Sequence, residues 1–133
     1  MEIYDPLRKK QVKLTPEEEV RQGAIRWLNE VVGAPIGLMA SEYGFTYNRR
    51  RYRADIVVFD RSLAPLLLVE CKAPEVTLNA KVIEQAVRYN RVLRVKFIMV
   101  TNGKTSYLCR RNPETGEYLF TAVVPTYEEM LQQ

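Results

Sequence analysis

Two apolar runs joined by a short polar turn constrain this chain most. They are Arg53-Ala54-Asp55-Ile56-Val57-Val58-Phe59-Asp60 and Leu66-Leu67-Leu68-Val69-Glu70-Cys71-Lys72, with Arg61 to Ala64 between them. Each run has strand length, and apolar residues on both faces predict central, buried positions in a sheet. Each also carries charge at one end, where charge is expensive to bury. Symmetric pairing about Ser62-Leu63 sets Asp60 against Pro65 and Asp55 against Glu70. Directly opposed side chains have Cβ atoms roughly 4.5–5.5 Å apart. A strand's period of two puts Lys72 on the face of Glu70 and turns Cys71 to the other face. Two carboxylates with a lysine beside them then converge on one spot, and their oxygen donors suit a hard divalent cation such as Mg²⁺.

The rest of the chain builds around this hairpin. Residues 1–14 read as an N-terminal arm or edge strand. Thr15-Pro16-Glu17-Glu18 starts a helix, with Thr15 as N-cap, Pro16 in the first turn and Glu18 completing a capping box. Val20, Ala24, Trp27, Leu28 and Val31 form its apolar stripe, and Gly33-Ala34-Pro35 ends it. Strands are expected over Met39 to Tyr47, Tyr52 to Asp60 and Leu66 to Lys72, with Asn48 to Arg51 joining the first two. A second helix is expected from about Asn79 to Leu93, and a fourth strand from Val95 to Thr101. The strand–helix–strand unit over 66–101 crosses over right-handedly, so its strands are parallel. Asn102-Gly103 reads as a two-residue hairpin turn into Lys104 to Arg110. A short strand near Tyr118 to Val123 and a small helix from about Thr126 complete an αβββαβ order with a β-rich tail. The fold class is α/β, an α+β mixed sheet in one domain over 1–133, with its core at about 15–110.

Composition excludes several chemistries. The 133 residues include no histidine and two cysteines, Cys71 and Cys109. Zinc sites of the common kinds and every Ser-His or Cys-His nucleophile are ruled out. A disulfide framework is not expected, which fits a reducing, cytoplasmic setting. The N-terminus lacks the features of a signal peptide, and no run approaches the ~18 apolar residues of a membrane span. A net charge of +4 permits a nucleic-acid partner without demanding one.

Asp55, fourteen intervening residues and Glu70-Cys71-Lys72 resemble the D…E-x-K signature of the PD-(D/E)XK nucleases. The order helix, three strands, helix, strand resembles their restriction-endonuclease-like core. Pro16-Glu17-Glu18-x-Val20-Arg21-Gln22, Ala54-Asp55-Ile56-Val57, Val69 to Pro74, Gln85-x-x-x-Tyr89-Asn90 and Thr101-Asn102-Gly103 resemble the N-terminal nuclease domain of type I restriction enzyme R subunits.

That resemblance implies a metal-dependent nuclease acting on DNA. Mg²⁺ or Mn²⁺ would be held by Asp55, Glu70, the backbone carbonyl of Cys71 and a helix glutamate. Glu17 lies on the core-facing stripe and is the candidate for that ligand, whereas Glu18 reads as a cap and Glu19 as solvated. Lys72 would orient or deprotonate water, or stabilise the charged transition state. Gln85 and Tyr89 share a helix face and would orient the site or contact DNA. Arg49, Arg50 and Arg51 at a hairpin tip could grip phosphates, and alternation puts Arg53 on the face of Asp55. The tyrosines, scattered along the chain, show no stacking-platform pattern. The family's motor and target-recognition regions are not visible here, and there is no G-x-x-x-x-G-K-[ST] loop. Cutting would then draw on a motor, specificity or methyltransferase subunit, with a homo-oligomer as a further partner. The competing reading is a non-catalytic nucleic-acid-binding or assembly module in which Asp55, Glu70 and Lys72 form a structural ion cluster.

Overall fold

A computed structural model describes all 133 residues. Eight strands and three α-helices form one mixed α/β domain: β1 (Glu2–Asp5), β2 (Lys10–Lys13), α1 (Pro16–Trp27), β3 (Met39–Tyr47), β4 (Arg50–Phe59), β5 (Pro65–Cys71), α2 (Ala80–Asn90), β6 (Phe97–Thr101), β7 (Ser106–Arg111), β8 (Tyr118–Thr121) and α3 (Tyr127–Gln132). The main sheet runs β3-β4-β5-β6-β7-β8. Only β5 and β6 pair in parallel, because only they are joined by a helical crossover. The arm is a separate β1–β2 hairpin rather than an edge strand of this sheet.

The first helix starts as its residues predict but for a partly different reason. The Thr15 hydroxyl accepts from the Glu18 backbone N–H at 3.1 Å, and Pro16 occupies the first turn. The Glu18 carboxylate does not close a capping box. It is buried, and accepts from Arg8 Nη2 at 2.7 Å and Gln22 Nε2 at 2.9 Å. After Trp27 the helix widens into one π turn, Leu28–Val32, and stops at Gly33 with φ +88°. A π turn inserts one residue, so the inward position moves from Val31, which is 66% exposed, to buried Val32. Ile25 joins the buried stripe, while Trp27 packs against the core only in part.

α1 covers one sheet face, where Val20, Ala24, Ile25 and Leu28 meet Ile56, Val58, Val69 and Phe97. On the other face Val87 and Leu93 pack on Val57, Leu68 and Ile98, and Ala86 packs on Val100. Between these layers β5 is buried from Leu66 to Val69, as a central strand should be.

The hairpin at the centre keeps the predicted register over Ile56↔Val69, Val57↔Leu68 and Val58↔Leu67. Beyond Val58 it slips, so that Phe59 rather than Asp60 meets Pro65. The cause is the turn: the Asp60 carboxylate accepts from the Ser62 and Ala64 N–H groups at 2.8 and 2.9 Å and draws the chain into a tight Asx loop. The β3–β4 turn is also tighter than expected. Asn48 and Arg49 alone reverse the chain, at φ +51° and +63°, so Arg50 and Arg51 lie in β4. The β6–β7 connection is longer than a two-residue turn, because Thr101 pairs with Ser106. Asn102 organises it: its side chain accepts from the Lys104 and Thr105 N–H groups and donates to the Val76 carbonyl at 2.8 Å.

Candidate active site

The register of β4 and β5, continued one step past Ile56↔Val69, sets Asp55 across from Glu70. The two carboxylates are held differently. Asp55 Oδ2 accepts the Cys71 backbone N–H at 2.7 Å, tying the end of β4 to β5. Ser41 adds a long hydroxyl bond to the Asp55 carbonyl at 3.4 Å, and that hydroxyl accepts from Arg21 at 3.2 Å. Burial raises the Asp55 carboxyl above its usual value. The Cys71 N–H and the charge of Arg21 oppose the rise without cancelling it, and the charges of Glu70 and Glu17 add to it.

Glu70 is gripped on both oxygens. Lys72 Nζ pairs with Oε2 at 2.9 Å, and Asn90 Nδ2 donates to Oε1 at 2.8 Å. Lys72 is raised above the ordinary lysine value, first by its bond to Glu70 and then by the charges of Glu70, Asp55 and Glu17, which together outweigh burial. It is an ammonium at neutral pH, so a water-deprotonating role does not suit it and a positioning or charge-stabilising role does. The thiol of Cys71 faces the α1 core and burial holds it far above the usual thiol range, so only its backbone is available for chemistry.

The helix glutamates do not divide as the wheel predicts: Glu18, not Glu17, is the buried one, because Arg8 from the arm pairs with it, and only Glu19 is solvated as expected. Glu17 is exposed on the first turn of α1, close enough for its charge to act on Asp55 and Lys72. Glu18 turns away into the arm. Nowhere do three or more Asp, Glu, Cys or His side chains gather closely enough to hold a metal ion, so Glu17, Asp55 and Glu70 do not form the expected three-carboxylate cluster. Arg53, expected beside Asp55, is instead exposed and pairs with Glu42 at 3.8 Å. Glu42 breaks the local alternation with φ +53°, a conformation unusual for a non-glycine residue.

Gln85 and Tyr89 line an open groove of about 490 Å³ together with Glu70, Lys72, Val82 and Ala86. Arg49, Arg50 and Arg51 are exposed at the β3–β4 tip. The tyrosines do converge, contrary to their scatter along the chain. Phe45 stacks on Tyr52 with ring centroids 5.2 Å apart and planes 9° from parallel, and Tyr52 meets Tyr89 at 5.0 Å. The guanidinium of Arg50 lies over both tyrosines, at 5.2 and 5.7 Å. Such a contact at an exposed position contributes ~0.5–1 kcal/mol.

Two residues quoted within the motifs received no role of their own in the sequence reading. Asn90 is buried, bonds Glu70 and the Ala86 carbonyl, and leaves its own amide oxygen without a partner. An unpaired buried polar atom costs roughly 1–3 kcal/mol, so packing alone does not explain an asparagine there. Its place directly after Tyr89 was the available signal. Arg21 follows Glu17 by four positions, and that spacing put it on the face turned to Asp55.

Comparison with known proteins follows the same lines. No curated protein sequence matches the chain. Among solved structures, a fragment assigned as an HsdR subunit of a type I restriction enzyme from Vibrio vulnificus YJ016 superposes with a TM-score of 0.63 and 22% identity. The match covers 90% of this chain and 25% of that one, so this chain spans a quarter of that relative's length and shares its fold. Residues 16–125 match the family described as type I restriction enzyme R protein N terminus (HSDR_N), and the chain belongs to that family.

Proposed function

We propose that this domain is a metal-dependent nuclease of the PD-(D/E)XK kind that hydrolyses DNA phosphodiester bonds in a restriction setting. The observation that carries the reading is the juxtaposition of Asp55 and Glu70 across β4 and β5, with Lys72 paired to Glu70 at 2.9 Å on an open groove. The donor chemistry fits Mg²⁺ or Mn²⁺. Asp55 is a half-buried carboxylate whose loss of water raises it above its usual value, and a nearby cation would relieve that cost. Asp55, Glu70 and the Cys71 carbonyl would hold the ion, with Glu17 joining from α1. When bound, the ion would supply acidity to an attacking water and charge to the phosphate.

The chain's own residues do the remaining work. The Asp55–Cys71 bond locks the two strand ends together, so the carboxylates keep their spacing. Asn90 fixes one oxygen of Glu70 and leaves the Lys72 side of that carboxylate facing the groove. The Lys72 ammonium stabilises negative charge developing on phosphate oxygens. Gln85 orients water or phosphate from the facing helix. Arg49, Arg50 and Arg51 contact the DNA backbone, and the salt dependence of binding should be steep. The HsdR relative belongs to a type I restriction enzyme, so motor and specificity or methyltransferase subunits are the expected partners.

A nicking assay on supercoiled plasmid with Mg²⁺ or Mn²⁺ tests this, with Lys72→Ala as control. Wild-type nicking that the variant lacks supports the reading. Equal digestion by both assigns the cutting to a contaminant and ends it. The fully engaged state of Glu70 and the lack of a three-carboxylate cluster favour the second reading, a non-catalytic DNA-binding or assembly module. DNA binding with no cutting under any divalent metal would select it.

A further inference from the structure

We propose that Tyr52 and Tyr89, capped by Arg50, form a stacking site for an unpaired nucleotide base beside the Glu70–Lys72 groove. The proposal deepens the nuclease reading and rests on its choice of a nucleic-acid ligand.

Four observations converge. Arg50 and Tyr52 are two apart in β4 and project to one face, while Tyr89 arrives from α2 and Phe45 from β3. Phe45 is the cross-strand partner of Tyr52 and stacks nearly parallel to it, which fixes the plane of the Tyr52 ring before any ligand arrives. Both tyrosines are half-buried, and the group lying over them is an exposed guanidinium, so the site opens to solvent. Tyr89 also lines the groove that holds Gln85, Glu70 and Lys72, so a base on these rings sits next to the candidate reaction centre.

Tyr118 and Tyr127, whose hydroxyls are hydrogen-bonded, behave differently. Tyr118 donates to the Val95 carbonyl at 2.6 Å and Tyr127 to the Phe59 carbonyl at 2.9 Å, so both serve the fold. The Tyr52–Tyr89–Arg50 group offers ring faces instead. A planar cation resting on an aromatic face occupies the place a base would take. Displacement by a base replaces one planar partner with another and frees the guanidinium to pair with the adjoining phosphate. A paired base keeps its faces inside the duplex stack, so the ligand is an unpaired one: a frayed end, an overhang or a gap.

The test uses the 133-residue chain in EDTA, where no cutting occurs. Fluorescence anisotropy compares a blunt duplex with the same duplex carrying a three-nucleotide overhang, and 2-aminopurine in the overhang reports stacking by quenching. The overhang should tighten binding about 5- to 100-fold and its 2-aminopurine should be quenched. Tyr52→Leu should remove the overhang advantage, and Tyr52→Phe, which keeps the ring, should retain it. An overhang that adds neither affinity nor quenching overturns the proposal even if Tyr52→Leu fails to fold. So does equal loss in Tyr52→Leu and Tyr52→Phe, which would mark the residue as a hairpin latch. Duplex binding and Lys72-dependent nicking that persist without an overhang advantage would sink this site alone, whereas no binding to any DNA would remove the nuclease reading with it.

Discussion

Two acidic clusters flank α1, and they treat buried charge in opposite ways. In the arm, Asp5 is fully buried, and burial alone would raise its carboxyl. The Arg8 side chain and the Leu7 and Arg8 N–H groups outweigh burial and hold it below the usual value. Arg8 reaches on to Glu18 at 2.7 Å and Glu42 at 2.8 Å, and Arg21 adds contacts to the same two acids. At the strand ends, Asp55 receives one backbone N–H and a more distant arginine, and burial wins. In the first cluster every carboxylate is paired with an arginine of the protein itself. The second keeps an unfavourable negative charge next to an open groove. Perturbed carboxylates of that kind are candidate sites, while satisfied ones more often hold a fold together.

The largest test of the contrast exchanges stability for activity. Asp55→Ala, Glu70→Ala or Lys72→Ala should each reduce plasmid nicking by at least about 100-fold, a loss typical of removing a main electrostatic or metal-binding group. Their melting temperatures should stay within a few degrees of wild type. Arg8→Ala should do the reverse. It strands Asp5 and Glu18 as buried, under-paired carboxylates, for about 3–5 kcal/mol and a melting temperature lower on the order of 10 °C. Nicking measured where that variant is still folded should be close to wild type. If Arg8→Ala lost activity with its melting temperature intact, the arm cluster would belong to the reaction and the division between the clusters would fail.

The second test uses the opposite pKa directions. Asp5 has a folded value below 3.8, so its stabilisation is present above the unfolded value and is lost as pH falls through the folded one. Asp55 has a folded value above 3.8, so its contribution is full below the unfolded value and is lost as pH rises through the folded one. Asp55→Asn keeps an acceptor for the Cys71 N–H and removes the charge. It should be more stable than wild type at pH 7, by about 1 kcal/mol, with no nicking. Its advantage should shrink towards pH 4. Asp5→Asn should be less stable than wild type at pH 7, with the deficit narrowing in acid. Denaturant midpoints at pH 4 and pH 7 decide the matter, and two variants that shift in the same direction would remove the contrast.

Which parts of this arrangement the chain announces follows from how local their causes are. The register that sets Ile56 against Val69, and so brings Asp55 and Glu70 to neighbouring strand ends, was legible because strand period and turn length are properties of one short segment. The slip at Phe59 was not, since it follows from a carboxylate capping its own turn. The π turn that trades Val31 for Val32 is hidden from a reading that assumes 3.6 residues per turn. Glu18 looked like a cap because its burial partner, Arg8, lies ten positions away in a separate hairpin. The aromatic row draws on β3, β4 and α2, so no window of sequence contains it. Gln85 and Tyr89 were placed on one helix face by spacing alone, but only the sheet shows that this face meets Glu70 and Lys72.

The smallest effect concerns Asn90, the residue that links the second cluster to α2. Its amide holds Glu70 through one hydrogen bond, and its own oxygen is left unpaired. Asn90→Ala therefore removes a bond and an unpaired acceptor together, and the two changes partly cancel in stability, leaving a melting temperature a few degrees lower at most. Activity should respond more clearly. With one restraint gone, Glu70 is held only by Lys72, and nicking should fall about tenfold, the size of one hydrogen bond's contribution. Half-maximal nicking should need a higher Mn²⁺ concentration, because a ligand that wanders binds less well. A purely structural asparagine would lower the melting temperature and leave the metal requirement unchanged. That outcome would confine the second cluster to Asp55, Glu70 and Lys72, with α2 serving only as a wall of the groove.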